Sequence, residues 1–321
     1  MFKLRSIWLT LLICVCTGLL VAQERFPLRP IAVIVPYQAG GSTEVFTRLV
    51  SEELAVLLRQ PVIIEPKPGA SGSIGARFVS VAKSDGYTLL ANTPQQIMYD
   101  AMFRNLPFET TKDFKPVGLL GSAPLLVVTA ASSPYKSFRD VLEAAKTRTV
   151  TYASGATGSL PHLTGERIAL QGNLKMTHIP FPGAAPALVN VLGGHVDLLY
   201  SSATIVLPQI KSGKLRALAV TTRERMADLP DVPTIGESGL TGFDVTSWYG
   251  LWAPKETPEA IVKLLNEALR TASQSPALRK RMTDMSASPG ALTSEQFANF
   301  IERERQVWMT VIRNAGLKPE Q

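Results

Sequence analysis

From residue 31 onward, short β-rich runs alternate with segments whose apolar residues recur at helical spacing. The run Ile31–Val35 is followed by 45–58, where Val45, Phe46, Leu49, Val50, Leu54, Leu57 and Leu58 form one stripe. A strand at 62–65, a helix at 74–81, a turn at Ser84-Asp85-Gly86 and a strand at 87–92 continue the series. Strand, helix, strand, helix, strand predicts a parallel sheet with right-handed crossovers. The theme then restarts. An apolar run at 117–129, interrupted by Gly121 and Pro124, precedes a helix near 138–146 and strands at 150–153, 176–179, 196–200 and Leu215–Val220, with helices at Ala184–Leu192 and Ala203–Lys211. Beyond a Pro-, Gly- and acid-rich connection at 228–242 come a strand at 247–253 and helices. One of these has Pro258 as its first helical residue after Thr257. The last spans 294–313, with Phe297, Phe300, Ile301, Trp308 and Val311 as its buried face, and stops at Gly316.

A chain of 321 residues built this way reads as two domains, and 45% hydrophobic with 18% charged residues reads as globular. Lys3 and Arg5 followed by an apolar stretch to Ala22 predict an export signal over 1–22, cleaved after Ala22. Cys14 and Cys16 both fall inside it, so the mature chain offers no disulfide, thiolate or cysteine-ligated metal. Removing Lys3 and Arg5 takes the formal charge from +7 to +5. With no clustered basic face, nucleic acid is not an expected partner.

The motifs of common enzyme chemistries are missing. Gly69-Ala70-Ser71-Gly72-Ser73-Ile74-Gly75 spaces its glycines G-x-x-G-x-x-G, not as a dinucleotide loop, and reads as a glycine-rich helix entry. Neither a G-K-[ST] ending nor a G-x-S-x-G elbow occurs. His162, His178 and His195 stand apart in no metal-ligand spacing. His178 and His195 read as structural, and His162, just past the second glycine/serine loop, keeps both readings open. No catalytic residue, metal or cofactor is expected.

What the chain does offer is capture. The stretch "VPYQAGGSTE" joins the first strand to the first helix. A helix N-terminus leaves about four backbone N–H groups unsatisfied and carries a partial positive charge. Gly40 and Gly41 clear the approach to those amides, and Ser42 and Thr43 add hydroxyl donors. The loop Ser154, Gly155, Ala156, Thr157, Gly158, Ser159 repeats the arrangement in the second half. Either loop alone is equally well read as a tight turn. Their recurrence beyond strand ends in both halves, where ligands bind in such sheets, favours an anion gripped from two sides.

At these residues the chain resembles the extracytoplasmic solute receptors of tripartite tricarboxylate transporters, the Bug receptors. The matching pieces run in order from about residue 26 to the C-terminus. They include "RPIAVIVPYQAGGSTE", "QPVIIEPKPGASGSIGA", "SDGYTLLANTP", "YASGATGSLPHLTGE", "GGHVDLLYSS" and "LPDVPTIGESGLTGFDVTSWYGLWAP". The resemblance implies an α/β fold of the periplasmic binding protein type II kind, two doubly wound α/β domains with a ligand cleft between them. It implies a periplasmic, monomeric receptor for a small organic carboxylate, a dicarboxylate or an aromatic acid, passed to membrane transporter subunits. A sensor kinase is the alternative partner, and an exported hydrolase or a ligand-free scaffold are the rival classes.

The family's ligand loops map onto Tyr37, Gln38, Ala39, Gly40, Gly41, Ser42 and Thr43; onto Thr93 and Gln95; onto Ser154, Ala156, Thr157, Gly158 and Ser159; onto Phe181 and Gly183; and onto Ser201 and Thr204, with Asp197 before them. Three departures accompany the likeness. Glu44 stands where the family has Asp. Phe181-Pro182-Gly183 stands where it has Tyr-Lys-Gly. Tyr37-Gln38-Ala39 stands where prolines are common, so Tyr37 adds an aromatic wall or a phenol donor. The expected domains are 23–122 plus 226–321, and 123–225, with hinge strands near 125–129 and 220–252.

Overall fold

The structure, a computed structural model, describes residues 26–319. The expected export signal lies outside the described residues. Among the described residues no helix is long and apolar enough to cross a membrane.

The first lobe opens with β1 (Ile31–Val35), α1 (Ser42–Leu58), β2 (Val62–Pro66), α2 (Ser73–Ser80), β3 (Thr88–Asn92) and α3 (Gln95–Met102). β1 lies between β2 and β3 and is parallel to both, as the alternation predicts. The second lobe repeats the plan. Here α4 (Phe138–Thr147), β5 (Val150–Ser154), α5 (Leu160–Gly172), β6 (Met176–Pro180), α6 (Ala184–Leu192), β7 (Leu198–Ser202), α7 (Ala203–Lys211) and β8 (Leu215–Val220) place β5 in parallel between β6 and β7.

Two strands to which the alternation assigns no direction are antiparallel to their neighbours. The apolar run around Gly121 and Pro124 is one strand of 17 residues, β4 (Phe114–Ala130). Its first part pairs antiparallel with β9 (Thr246–Pro254), which is itself antiparallel to β3; its second part pairs antiparallel with β7 and β8. β4 and β9 carry the chain between lobes instead of returning through a crossover helix, so they enter each sheet against its direction. Pro124 fits because it is the last residue of β4 paired with β9, where the strand passes from one sheet to the other. The chain closes with α8 (Glu259–Ala272), α9 (Pro276–Thr283), the short β10 (Ser288–Pro289) and α10 (Ser294–Asn314). Pro258 is extended, with ψ 138°, and caps α8 instead of starting it.

The two passages between lobes lie side by side. Pro124 faces Thr246 across the β4–β9 ladder. Thr221 closes the gap: its N–H donates to Leu125 O at 3.0 Å, and its hydroxyl lies 2.6 Å from Val245 O. Residues 222–245 bond to second-lobe elements at several points, while Asp228 accepts from Ser286 Oγ of the first lobe. Ile235 N–H donates to Val220 O, and Arg167 and Gln171 of α5 donate to Gly242 O and Thr241 O.

The largest buried cluster runs through both lobes, from Ile34 and Leu90 to Tyr152 and Leu198. α10 lies against β4, α3 and α5 and so touches both. Its Glu304 carboxylate accepts from the indole N–H of Trp248 at 3.0 Å and of Trp308 at 3.2 Å, which fixes the helix behind the hinge.

Candidate functional site

A cleft of about 90 Å³ separates the lobes where the strand ends meet. From the first lobe it is lined by Tyr37, Gln38, Gly41, Ser42 and Thr43, by Thr93 and Gln95, and by Ser247 and Tyr249. From the second come Gly155, Ala156 and Ser159, then Gly183 and Ala184, then Ser201 and Ser202. Leu125, Leu160, Pro161 and Leu199 give it an apolar side. Among the described residues, no Lys, Arg, His, Asp or Glu lines it.

Four helices start at this cleft without a side-chain cap from the N-cap residue. The leading amides of α3 are taken by Thr93 and Pro94, and those of the other three are not so engaged. α1 follows Gly41, α6 follows Gly183 and α7 follows Ser202, and none of these N-cap positions supplies a side-chain acceptor to the first turn. Their leading N–H groups therefore have no partner within their own helices. Each end carries the equivalent of roughly half a positive charge. A neutral lining with three such ends, one from the first lobe and two from the second, is a positive site built without a cation. α5 differs: Ser159 caps it by accepting from His162 N–H at 3.4 Å.

The hydroxyls divide into those spent on the protein and those left to the cleft. Tyr37 is spent. Its phenol donates to Asn92 Oδ1 at 2.6 Å, with Gln95 Oε1 and Thr93 Oγ1 each 3.1 Å away, and burial raises its pKa. It serves as a wall, not a donor to ligand. Gln95 in turn donates from Nε2 to Thr157 O at 2.9 Å, a direct bond between the lobes. Tyr249 lines the cleft from β9. Ser247 Oγ donates to its phenol oxygen at 3.1 Å. Burial raises its pKa, while the hydroxyls of Ser202, Ser247 and Ser42 pull the other way.

Behind the second loop lies a neutral histidine pair. The rings of His162 and His178 stack at 3.9 Å. His162 Nδ1 accepts from Gly158 N–H at 3.0 Å, and His178 Nε2 meets Ser154 Oγ at 2.6 Å. Burial pushes His162 down to about 4. Burial, and then the neighbouring His162, push His178 down to about 3. The open reading of His162 resolves here: it does not line the cleft but shapes the loop that does.

Several residues assigned to ligand from sequence sit elsewhere. Asp197 precedes β7, at the end away from the cleft, and its carboxylate accepts from Thr151 N–H at 2.8 Å and Thr151 Oγ1 at 2.9 Å. It clips β5 to β7. Gly40 N–H is taken by Glu44 Oε2 at 2.8 Å, and Glu44 also pairs with Arg48. The Gly40 bond and then Arg48 hold the Glu44 carboxyl below its ordinary range. Glu44 reaches back to the loop and removes one amide from the expected set. Gly40 and Ala39 face outward toward Arg48 and Arg281. Thr157 and Gly158 meet the first lobe through Gln95, Met102 and Phe103. Thr204 Oγ1 lies 3.0 Å from Ser202 Oγ and so orients a lining hydroxyl. Phe181 lines a neighbouring compartment.

Sequence reading missed Ser247 and Tyr249, while Ser202 falls between Ser201 and Thr204, which the resemblance marks. Ser202 ends the strand in "LLYSS", one residue past Ser201, and was legible as part of that loop. Ser247 and Tyr249 had no local signal, because β9 reaches the cleft only through its pairing with β4.

Known proteins resemble this chain over most of its length. The family described as "Tripartite tricarboxylate transporter family receptor" matches residues 46–317. Protein BugT of Bordetella pertussis is 35% identical over 303 residues, 93% of each chain. The R. palustris structure "Rpa4515 with adipate" superposes with a TM-score of 0.88 at 30% identity, covering 92% of this chain and 100% of that one. The "periplasmic binding protein BugD" gives a TM-score of 0.86 at 31% identity over 92% of this chain and 100% of its own.

Proposed function

The chain belongs to the tripartite tricarboxylate transporter receptor family, and from that membership we propose that it captures a small organic carboxylate in the periplasm and presents it to membrane transporter subunits. The observation that carries this reading is the uncharged cleft fed by the uncapped starts of α1, α6 and α7. A carboxylate satisfies those amides with charge-assisted hydrogen bonds, and the lobes exclude water around them. Covalent chemistry has no part in it. The adipate in the Rpa4515 structure and the periplasmic description of BugD support ligand class and compartment.

Closure is the working step. In the closed arrangement Gln95 joins Thr157, Gly158 lies against Met102 and Phe103, and Gly183 approaches Gln38. Opening would part these contacts and turn about the paired passages at 124–125 and 245–246. On this reading the second domain is 125–245 and the first is 26–124 with 246–319. The return crossing thus falls about twenty residues after the boundary expected from sequence. The residues taken to touch ligand are Gly41, Ser42, Thr43, Thr93, Ser159, Gly183, Ser201, Ser202, Ser247 and Tyr249.

The test is calorimetry against a panel of small carboxylates with Gly41→Val. Gly41 has φ −85° and its added Cβ would meet only Gln38 O at 3.7 Å, so the fold accepts the change. The branched side chain then occupies the cleft and blocks the α1 amides. Binding of at least one acid by the wild type and none by the variant is expected. Undiminished affinity in Gly41→Val would show that the loop is an ordinary turn. Gly158→Val is a poorer probe, since φ +71° and neighbours at 3.2–3.3 Å add strain to any binding effect.

A further inference from the structure

The cleft does not end at its carboxylate-binding part. Tyr37, Gln38, Gly155 and Ala156 line both it and a second compartment of about 270 Å³. One wall of this compartment is the segment Pro68–Gly72 of the first lobe; the other is Phe181 and Pro182 of the second. Pro36 completes it. Among the described residues, no charged side chain lines it, and its neutral polar side chains are those of Gln38 and Ser71, with the Tyr37 phenol already spent.

The first wall is held in an unusual shape. Gly69, Ala70, Ser71 and Gly72 follow one another at φ +131°, +44°, +53° and +92°. Ala70 and Ser71 are not glycine, and the left-handed region disfavours them. Such strain persists only where the surroundings enforce it. Here Tyr99 does so, donating its phenol to Ser71 O at 3.1 Å, and Gly72 lies where any side chain would strike Tyr99. The left-handed turn presents Ala70 and Ser71 to the compartment.

Charge decides what can occupy the two spaces. The first offers three helix ends to one carboxylate. The second offers prolines, Ala70, Ala156 and Phe181. A second carboxylate there would give up part of its water and meet neither a cation nor those helix ends in return, which is unfavourable. An apolar group there would leave water for a matching surface, which is favourable. We infer that the ligand is a monocarboxylate with an uncharged, ring-sized tail: its carboxylate lies on α1, α6 and α7, and its tail lies between Pro68–Gly72 and Phe181–Pro182. Phe181 and Pro182 are then the specificity-determining pair. This inference rests on the carboxylate-capture reading and narrows it.

The experiment compares three probes by calorimetry on ligand-stripped protein: phenylacetate, adipate and butyrate. The wild type is expected to bind phenylacetate at least tenfold more tightly than adipate. Phe181→Ala should weaken phenylacetate at least tenfold and change butyrate less than threefold. Pro182 is exposed, so Pro182→Lys should fold normally; it should strengthen adipate and weaken phenylacetate. Adipate binding as tightly as phenylacetate, with Pro182→Lys without effect, would overturn the assignment of the tail and leave carboxylate capture standing. Failure of all three probes together with a wider acid panel would overturn both.

Discussion

At the scale of single residues, the site is made of neutral groups whose value depends on whether they are already engaged. Tyr37 and Tyr249 are both buried phenols, yet only the second stands among cleft hydroxyls with its oxygen turned to Ser247. Tyr249→Phe is therefore expected to weaken the bound acid roughly tenfold, the worth of one hydrogen bond of ~1.5 kcal/mol, with little change in melting temperature. Tyr37→Phe should act mainly on stability, because it leaves Asn92 Oδ1 without this donor. The histidine pair makes a second residue-level prediction. His162 and His178 are held neutral by burial, with pKa values near 4 and 3, below the ordinary ~6.5 of an unfolded histidine. Between those values the unfolded chain binds more protons than the folded one. The stability these groups contribute is thus complete above pH ~6.5 and is lost as pH falls toward 4. Urea unfolding of wild type and His162→Gln from pH 7 to pH 4.5 should show a steeper loss in the wild type; parallel curves would mean that His162 titrates normally.

At the scale of elements, helix starts and close backbone approaches do the positioning. α5 packs onto β5 at Gly165, whose added Cβ would stand within 2.5 Å of the Tyr152 ring. Tyr152 in turn donates to Glu166 Oε1 at 2.6 Å, holding the base of the second loop. Gly165→Ala sets two effects against each other. Helix propensity favours alanine by ~1 kcal/mol, whereas overpacking a filled core costs ~1–3 kcal/mol. A net destabilisation of up to ~2 kcal/mol in urea unfolding is expected, and a stabilised variant would show that Tyr152 has room to move. β4 is the other decisive element. Its first part belongs to one sheet and its second to the other, so it carries the frame of both lobes through the hinge.

At the scale of the whole molecule, binding and closure are one equilibrium. A ligand held only by the closed, native form raises the unfolding free energy by ~2.7 kcal/mol at a hundredfold excess over Kd. The melting temperature should therefore climb with ligand concentration, and the radius of gyration in solution scattering should fall on binding. Gln95→Ala removes the bond to Thr157 O. It is expected to raise Kd several-fold by favouring the open form, and to lower the ligand-free melting temperature as well, because Gln95 is buried and its Oε1 lies beside the Tyr37 phenol. Equal scattering curves with and without ligand would argue against a hinge.

Much of this was legible in the chain. Alternation of period-two and period-3.6 runs determined the α/β class, the two repeated halves and the first and second loops, because local hydrophobic periodicity reports which face of each element is buried. The ordered family pieces determined the receptor class. Only the tertiary structure decided that Asp197 clips two strands, that Glu44 occupies the Gly40 amide, and that Tyr249 arrives at the cleft from the far end of the sequence. It also decided that β4 and β9 run antiparallel and that Thr221 ties the two passages between the lobes together. These outcomes depend on which partners meet, from Gly40 and Glu44 within one loop to β4 and β9 more than a hundred residues apart, and a hydrogen-bonding group does not reveal in sequence whether protein or ligand will satisfy it.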